Sequence, residues 1–362
     1  MNARVASALF AVLFLSAAAF SQDIPKVSRD GSATTQKHAS MIREAVALCD
    51  REEYTSAIAK YQEVLAEDPN DAWAIYELAF TYSAMKDYRK SLETAYQGVE
   101  YKYNERSRFF VLIGNDLDQL GEHEGAIRAY RAGLEAFPDN AELYYNLAVT
   151  YLVINKPEDA KKCLKGAAQA DPNHHSSQLV LGMLYEKGGY RIPSLLAFCR
   201  FLILEPDSQR SASAVKKIRG IVLSGASIGD NPKNVTITVD PSGKTDEGDF
   251  NPISMALSLL ASSRFLPENK GKTEIELAVD TFGSLFAILS ESKGRTKQSG
   301  FAWNYYRPYF ADLKARGYVE PFCYYIFQST KSAEISDWLR KNDGKVNDFL
   351  AWSKSYRWSA AK

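Results

Sequence analysis

YYNLAVTY, residues 144–151, decides the fold. On a helix, Tyr144, Leu147, Ala148 and Tyr151 fall on one stripe, because residues three and four apart share a face. Ala148 is the small member of that stripe, and a small residue lets a second helix come close. A second helix follows at once: Leu164 trails Ala160 by four residues, and Pro172 closes the stretch. The chain repeats this arrangement. Ala57 and Tyr61, Ala126 and Tyr130, and Ser194 and Phe198 are equivalent pairs, with Ser91 and Ala95 a degenerate one. From residue 57 the spacings are 34, 35, 34 and 34. Pro69, Pro138, Pro172 and Pro206 keep a fixed offset, and Ala45, Ala79, Gly114, Ala148 and Gly182 form a second constant set upstream. A period of this length predicts a helical solenoid, whose units are antiparallel helix pairs that cannot bury their apolar faces alone. Each proline ends a second helix and sets up the next unit.

These residues resemble the tetratricopeptide repeat family. The fourth unit follows the family pattern through both helices: Tyr144-x-x-Leu147-Ala148-x-x-Tyr151, then Ala160-x-x-x-Leu164, then Pro172. The resemblance covers residues 38–207 and implies an all-α fold, a right-handed helical-hairpin solenoid of about five repeats. The second unit departs from the pattern, with Tyr103 where the proline falls and one extra residue before the third unit. In the fifth unit Phe201 stands where earlier units carry Val64, Gly98, Gly133 and Ala167, so packing is expected to change there. Residues 208–223 read as a solvating cap helix.

The family architecture implies that the first helix of each unit lines a concave surface. Tyr145 points about 100° away from Tyr144, toward that surface, and Val149 lies one turn on. The equivalent places are Ile42 and Val46, Tyr76 and Phe80, Val111 and Asn115, and Leu179 and Met183, with Trp73 and Leu152 beside them. This row is the expected partner-binding groove, mostly apolar and partly aromatic. Some family members grip a peptide's C-terminal carboxylate with lysine and asparagine. Here only Asn115 keeps such a residue and Val111 replaces the base, so no carboxylate clamp is expected. Ten or so apolar side chains would expose several hundred Å², and monomers seldom leave more than roughly 300–600 Å² bare without a functional reason. The expected cover is a protein or peptide segment of a partner, or the chain's own C-terminal domain.

That domain is expected over 252–362, after a linker at 224–251 in which VTITVD, 235–240, reads as one short strand. It reads as helical. Pro308 and Pro321 mark possible helix starts, and the last helices are expected at 332–341 and 345–358. Eleven aromatics lie between Phe301 and Phe327. They suit a packed core with tyrosine hydroxyls reaching outward, or a platform that stacks on sugar rings.

The remaining features bound the function. Lys and Arg number 44, as do Asp and Glu, so no global field favours nucleic acid. MNAR precedes an uncharged run of 16 residues, and Ala19 and Ser21 are small, the layout of a secretory signal peptide over 1–21. A flexible segment is expected at 22–37. The run is shorter than the roughly 20 apolar residues of a membrane span, so membrane contact is expected only if it stays uncleaved. The first cysteine is Cys49, which excludes a lipid anchor at the cleavage point; Cys49, Cys163, Cys199 and Cys323 show no metal-ligand spacing. Gly225-Ala226-Ser227-Ile228-Gly229 matches G-x-S-x-G, but that motif needs a strand before the serine and a later histidine, and His38, His123, His174 and His175 all precede it. Ser290-x-x-Lys293 lacks companion motifs, and the GKT runs at Gly243 and Gly271 have Thr238 and Leu266 where a phosphate loop needs glycine. Adjacent His174 and His175 lack further ligands, so no metal or other cofactor is expected. The reading is an exported, non-enzymatic interaction or scaffold protein. Its alternative is an envelope enzyme or glycan-binding protein acting through the aromatic-rich domain.

Overall fold

A computed structural model describes residues 24–228, 235–237, 244–292 and 299–358. The apolar leader at 1–21, Gly229, Gly243 and Lys293 lie outside the described residues. Packing groups the chain into two compact units, Met1–Phe137 and Pro138–Lys362. The fold is all-α and built from helical repeats.

The first unit holds three helical hairpins: α1 (Gln36–Asp50) with α2 (Tyr54–Glu67), α3 (Ala72–Ala84) with α4 (Tyr88–Val99), and α5 (Ser107–Gln119) with α6 (His123–Ala136). The second unit opens with two more, α7 (Ala141–Val153) with α8 (Pro157–Ala170) and α9 (His175–Lys187) with α10 (Arg191–Leu204). Among the described residues seven α-helices follow: α11 (Gln209–Leu223), α12 (Asn251–Ser263), α13 (Glu274–Glu291), α14 (Phe301–Ala315), α15 (Val319–Ile326), α16 (Ala333–Lys341) and α17 (Asp343–Ser355).

One local device closes every hairpin. The amide N–H of Glu53, Asp87, Glu122, Lys156 and Tyr190 donates to the carbonyl of Leu48, Tyr82, Leu117, Tyr151 and Tyr185 respectively, at 2.7–2.9 Å. This Schellman bond forces the residue before each donor into the left-handed region. Those residues are Glu52, Lys86, Gly121, Asn155 and Gly189, which recur at the repeat period. Glycine and asparagine tolerate that geometry, whereas Glu52 and Lys86 carry the Cβ penalty of about 1–2 kcal/mol. Glycine's greater freedom in the unfolded chain offsets part of it. Lys86→Gly is therefore expected to stabilise by about 0.5–1 kcal/mol. Urea unfolding would show a higher midpoint with unchanged slope; a lower midpoint would refute the expectation.

Close helix approach explains the small residues. Ala45, Ala57, Ala79 and Ala95 are fully buried. A Cβ at Gly114 would sit 2.2 Å from the Tyr130 ring, so the α6 tyrosine lies directly on the α5 backbone. Helices α2, α6, α8 and α10 each end two residues before a proline. The second hairpin lacks that proline and behaves differently. Its exit keeps backbone polar groups that need partners. Tyr101–Lys102 becomes strand β2 and pairs in parallel with β1 (Arg29–Asp30), while the amides of Ser28 and Arg29 donate to the Glu100 carbonyl. The 22–37 segment expected to be flexible is thus pinned at its middle, and α1 already begins at Gln36.

The C-terminal region departs from expectation in four places. Strand β4 (Val235–Ile237) pairs antiparallel with β3 (Ala226–Ile228), so the described residues of the linker hold two short strands rather than one. Ser227 lies inside β3 instead of on a strand-to-helix turn, which removes the nucleophile-elbow geometry. Pro308 sits inside α14, whose start is set by Gly300; Pro321 lies in the first turn of α15 as expected. Finally, α11 is not a free cap. Ser208 caps it, and Ala214, Val215, Ile218 and Ile221 are buried where it packs on α10 and α12. The change of packing expected near Phe201 has a definite form: residues 192–203 of α10 are all buried, with α9, α11, α12, α14 and α15 around them.

Candidate partner-binding surface

In the first unit, α1, α3 and α5 carry the expected surface residues. Ile42 is not among the lining residues. It is fully buried in the cluster of Ala45, Ala57, Tyr61 and Val64, because α1 packs on both α2 and α3. Tyr76 and Val111 are also buried. The Tyr76 ring stacks on Phe80 at 6.2 Å, meets Phe109 edge-on at 5.4 Å, and lies under the Arg108 guanidinium at 4.0 Å. Phe80 stays 46% exposed, and Val46 and Trp73 are half-buried. Asn115 is exposed, and its side-chain oxygen accepts from the Tyr130 hydroxyl at 2.7 Å.

An open depression on this unit is lined by Arg43, Val46, Trp73, Glu77, Tyr103, Glu105 and Arg108. It corrects the expectation of a mostly apolar face. Arg43 lies 5.9 Å over the Trp73 ring, and Trp73 Nε1 donates to Glu77 at 3.1 Å. Burial pushes the Glu77 carboxyl up in pKa, against the Trp73 hydrogen bond and the Arg108 charge, which pull it down. Arg43, Glu77 and Arg108 flank the aromatics that sequence reasoning selected. A signal was present: Arg43 and Glu77 hold equivalent places one repeat apart.

In the second unit the two adjacent tyrosines separate. Tyr144 packs on α8, where a Cβ on Gly166 would lie 2.8 Å from its ring. Tyr145 points elsewhere, its ring 5.1 Å from that of His174. His174 caps α9 by accepting the Ser177 amide on Nδ1 at 3.3 Å, a role for the neutral ring. Burial first, and the nearby His175 second, lower its pKa. Val149, Leu152 and Leu179 are half-buried, and Met183 is 46% exposed.

The C-terminal helices seat on a different part of these repeats. Tyr305 donates to the Ala168 carbonyl at 2.7 Å and Tyr306 to the Gln178 side chain at 2.6 Å. Gln178 occupies the repeat position that Tyr144 fills one unit earlier, and this hydrogen bond accounts for a polar residue there. Glu247, fully buried, pairs with Lys165 of α8 and accepts from the Tyr185 hydroxyl at 3.0 Å and the Ala302 amide at 3.2 Å. Arg200 of α10 reaches Ser353 of α17 at 3.0 Å. Of the eleven aromatics between Phe301 and Phe327, eight are buried: Trp303, Tyr305, Tyr306, Tyr309, Phe310, Phe322, Tyr324 and Phe327. Their rings make the core of this region, which corrects the picture of an open platform for sugar rings.

A family profile described as tetratricopeptide repeat matches residues 119–182, and one described as TPR repeat matches residues 46–92. These hairpins are tetratricopeptide repeats. Among curated proteins, a TPR repeat-containing protein of Methanocaldococcus jannaschii is 26% identical over 110 residues, 30% of this chain and 19% of that one. The BBSome complex member BBS4 of Bos taurus is 22% identical over 136 residues, 38% of this chain and 26% of that one. The chain thus spans about a fifth to a quarter of the length of these relatives. Two solved structures that the chain matches are MamA from Desulfovibrio magneticus and a thermophilic TPR protein of Thermus thermophilus. The first has a TM-score of 0.39 at 18% identity, covering 48% of this chain and 97% of MamA. The second has a TM-score of 0.41 at 19% identity, covering 51% and 99%.

Proposed function

We propose that the protein is an exported, non-enzymatic scaffold that holds a peptide segment of a partner protein against the first helices of its tetratricopeptide repeats. One observation carries the reading: Phe80 and Met183, large apolar side chains at equivalent groove positions, are each left 46% exposed. The bonds that seat the C-terminal helices fall on Ala168, Gln178, Tyr185 and Arg200 instead. The charged residues Arg43, Glu77 and Arg108 around Trp73 favour a segment with both charges and at least one apolar anchor. Export rests on the apolar leader, and N-terminal sequencing of the mature chain should begin at Gln22.

The test is selection of peptides from a display library on the full-length protein. Selected peptides are expected to lose roughly 10- to 100-fold in affinity on either Phe80→Ser or Met183→Ser, whichever unit holds them, as for an anchor worth about 1–3 kcal/mol. Serine at these half-covered positions is expected to cost about 1 kcal/mol of stability each, so the affinities are compared at a temperature where urea unfolding shows each variant to be fully folded. Unchanged affinity on both variants would refute this use of the surface.

A further inference from the structure

We propose that His38, Asp68 and Asp71 form a binding site for a divalent transition-metal ion of the zinc type, where the start of α1 meets the turn between α2 and α3. One ligand atom from each residue lies within 4.8 Å of the others. His38 is 95% buried and Asp71 fully buried, and His38 Nδ1 and Asp71 Oδ2 face one another at 3.9 Å without a hydrogen-bond partner.

The orientation of both groups is fixed from outside the cluster. Asp71 is the N-cap of α3: its Oδ1 accepts from the amides of Trp73 and Ala74 and from the Thr34 hydroxyl, each at 3.1 Å. That turns Oδ2 toward His38. On the other side, His38 Nε2 is 3.2 Å from Glu67, whose carboxylate also holds Lys37 at 2.6 and 2.7 Å. A carboxylate only accepts, so Nε2 donates to Glu67, and loss of the other ring proton leaves a lone pair at Nδ1 aimed at Asp71. Nδ1 and the buried Asp71 Oδ2 then converge with no hydrogen-bond partner of their own, an arrangement that a metal cation bound between them would satisfy. Metal-bound histidines almost always donate their second nitrogen to a carboxylate or carbonyl in this way. Glu67 is that outer partner here.

Spacing and chemistry agree. Zinc bonds to nitrogen and oxygen of about 2.0–2.2 Å hold tetrahedral ligands roughly 3.3–3.6 Å apart, close to the observed Nδ1–Oδ2 gap. Asp68 is half-buried, and one of its carboxylate oxygens lies within 4.8 Å of the ligand atoms of His38 and Asp71. One imidazole with two carboxylates suits zinc, manganese or nickel better than calcium, which prefers an all-oxygen shell. The bound ion would tie α1 to the α2–α3 turn. The ligands come from two helical pieces thirty residues apart, beyond any short spacing motif.

The test uses the full-length protein, stripped with a chelator and titrated with zinc chloride by calorimetry and equilibrium dialysis. One ion per chain is expected, with a melting midpoint several degrees higher in zinc. His38→Gln and Asp71→Asn should each weaken binding at least tenfold; Asp71→Asn keeps the oxygen that caps α3. If either variant fails to fold, Asp68→Asn, at a half-buried position, replaces it with the same expected loss. The proposal is overturned if the native chain takes up no zinc saturably, if the variants bind as it does, or if nitrogen-detected NMR finds His38 protonated at Nδ1 in saturating zinc.

Discussion

Arg200→Ala lowers the unfolding free energy by about 3–5 kcal/mol, in the range for removing a buried, fully hydrogen-bonded charge. Arg200 is 1% exposed. Its guanidinium donates to the Pro172 carbonyl through Nε at 3.3 Å and Nη2 at 3.2 Å, to the Asn173 side chain at 2.9 Å, and to the Ser353 hydroxyl at 3.0 Å. Its carbon lies 5.3 Å over the Tyr309 ring and 4.9 Å over the Trp358 ring. Truncation leaves acceptors without donors, at about 1–3 kcal/mol per buried group, and a void between two rings. Lysine does not rescue it, because one ammonium cannot reproduce a planar fork that reaches three partners at once. Urea unfolding, followed by far-ultraviolet circular dichroism and by tryptophan emission, reads the effect. A loss under about 1 kcal/mol for Arg200→Ala would mean that this contact does not hold α17 to α10.

Glu247→Ala is the second large effect, expected at about 2–4 kcal/mol. Lys165 keeps 22% of its side chain exposed and can turn to water when its partner is removed, so the ion pair itself contributes little of this. The larger share comes from the Tyr185 hydroxyl and the Ala302 amide, both left buried without an acceptor. The same corner has a backbone constraint. Gly300, at φ 127°, would place a Cβ 2.3 Å from the Glu247 carbonyl carbon. Gly300→Ala should therefore destabilise at least as much as Glu247→Ala, and the double variant should cost less than the two added, because both disrupt one contact. Simple additivity would show that Gly300 and Glu247 act separately.

What the chain reveals of itself follows from how local each cause is. The hairpins are legible because small residues and prolines recur at a fixed period. The left-handed turn residues are legible at Gly121, Asn155 and Gly189, but not at Glu52 and Lys86, where the Schellman bond overrides side-chain preference. Equivalence of position identified Phe80 and Met183 as outward-facing. It failed at Ile42, Tyr76 and Val111, which are buried because each of these first helices packs on a neighbouring repeat as well as on its own partner helix. The docking place of the C-terminal helices was written in RIPSLLAFCRFLIL, residues 191–204, which is apolar on every side and therefore buried all round. Which polar residues would fasten that docking was not legible. Glu247 and Lys165 are 82 residues apart, and Arg200 and Ser353 are 153 apart, so no local pattern announces either pair.

The burial of α10 on all sides has a consequence for assembly. A bare solenoid terminus offers the surface that internal repeats bury against their neighbours, which invites copies to polymerise head to tail. Here that terminus is spent on α11, α12, α14 and α15. A further repeat spliced in after Pro206 would find its berth taken. Filament growth through that end is likewise foreclosed, so the number of repeats on that side is set by the helices that follow them.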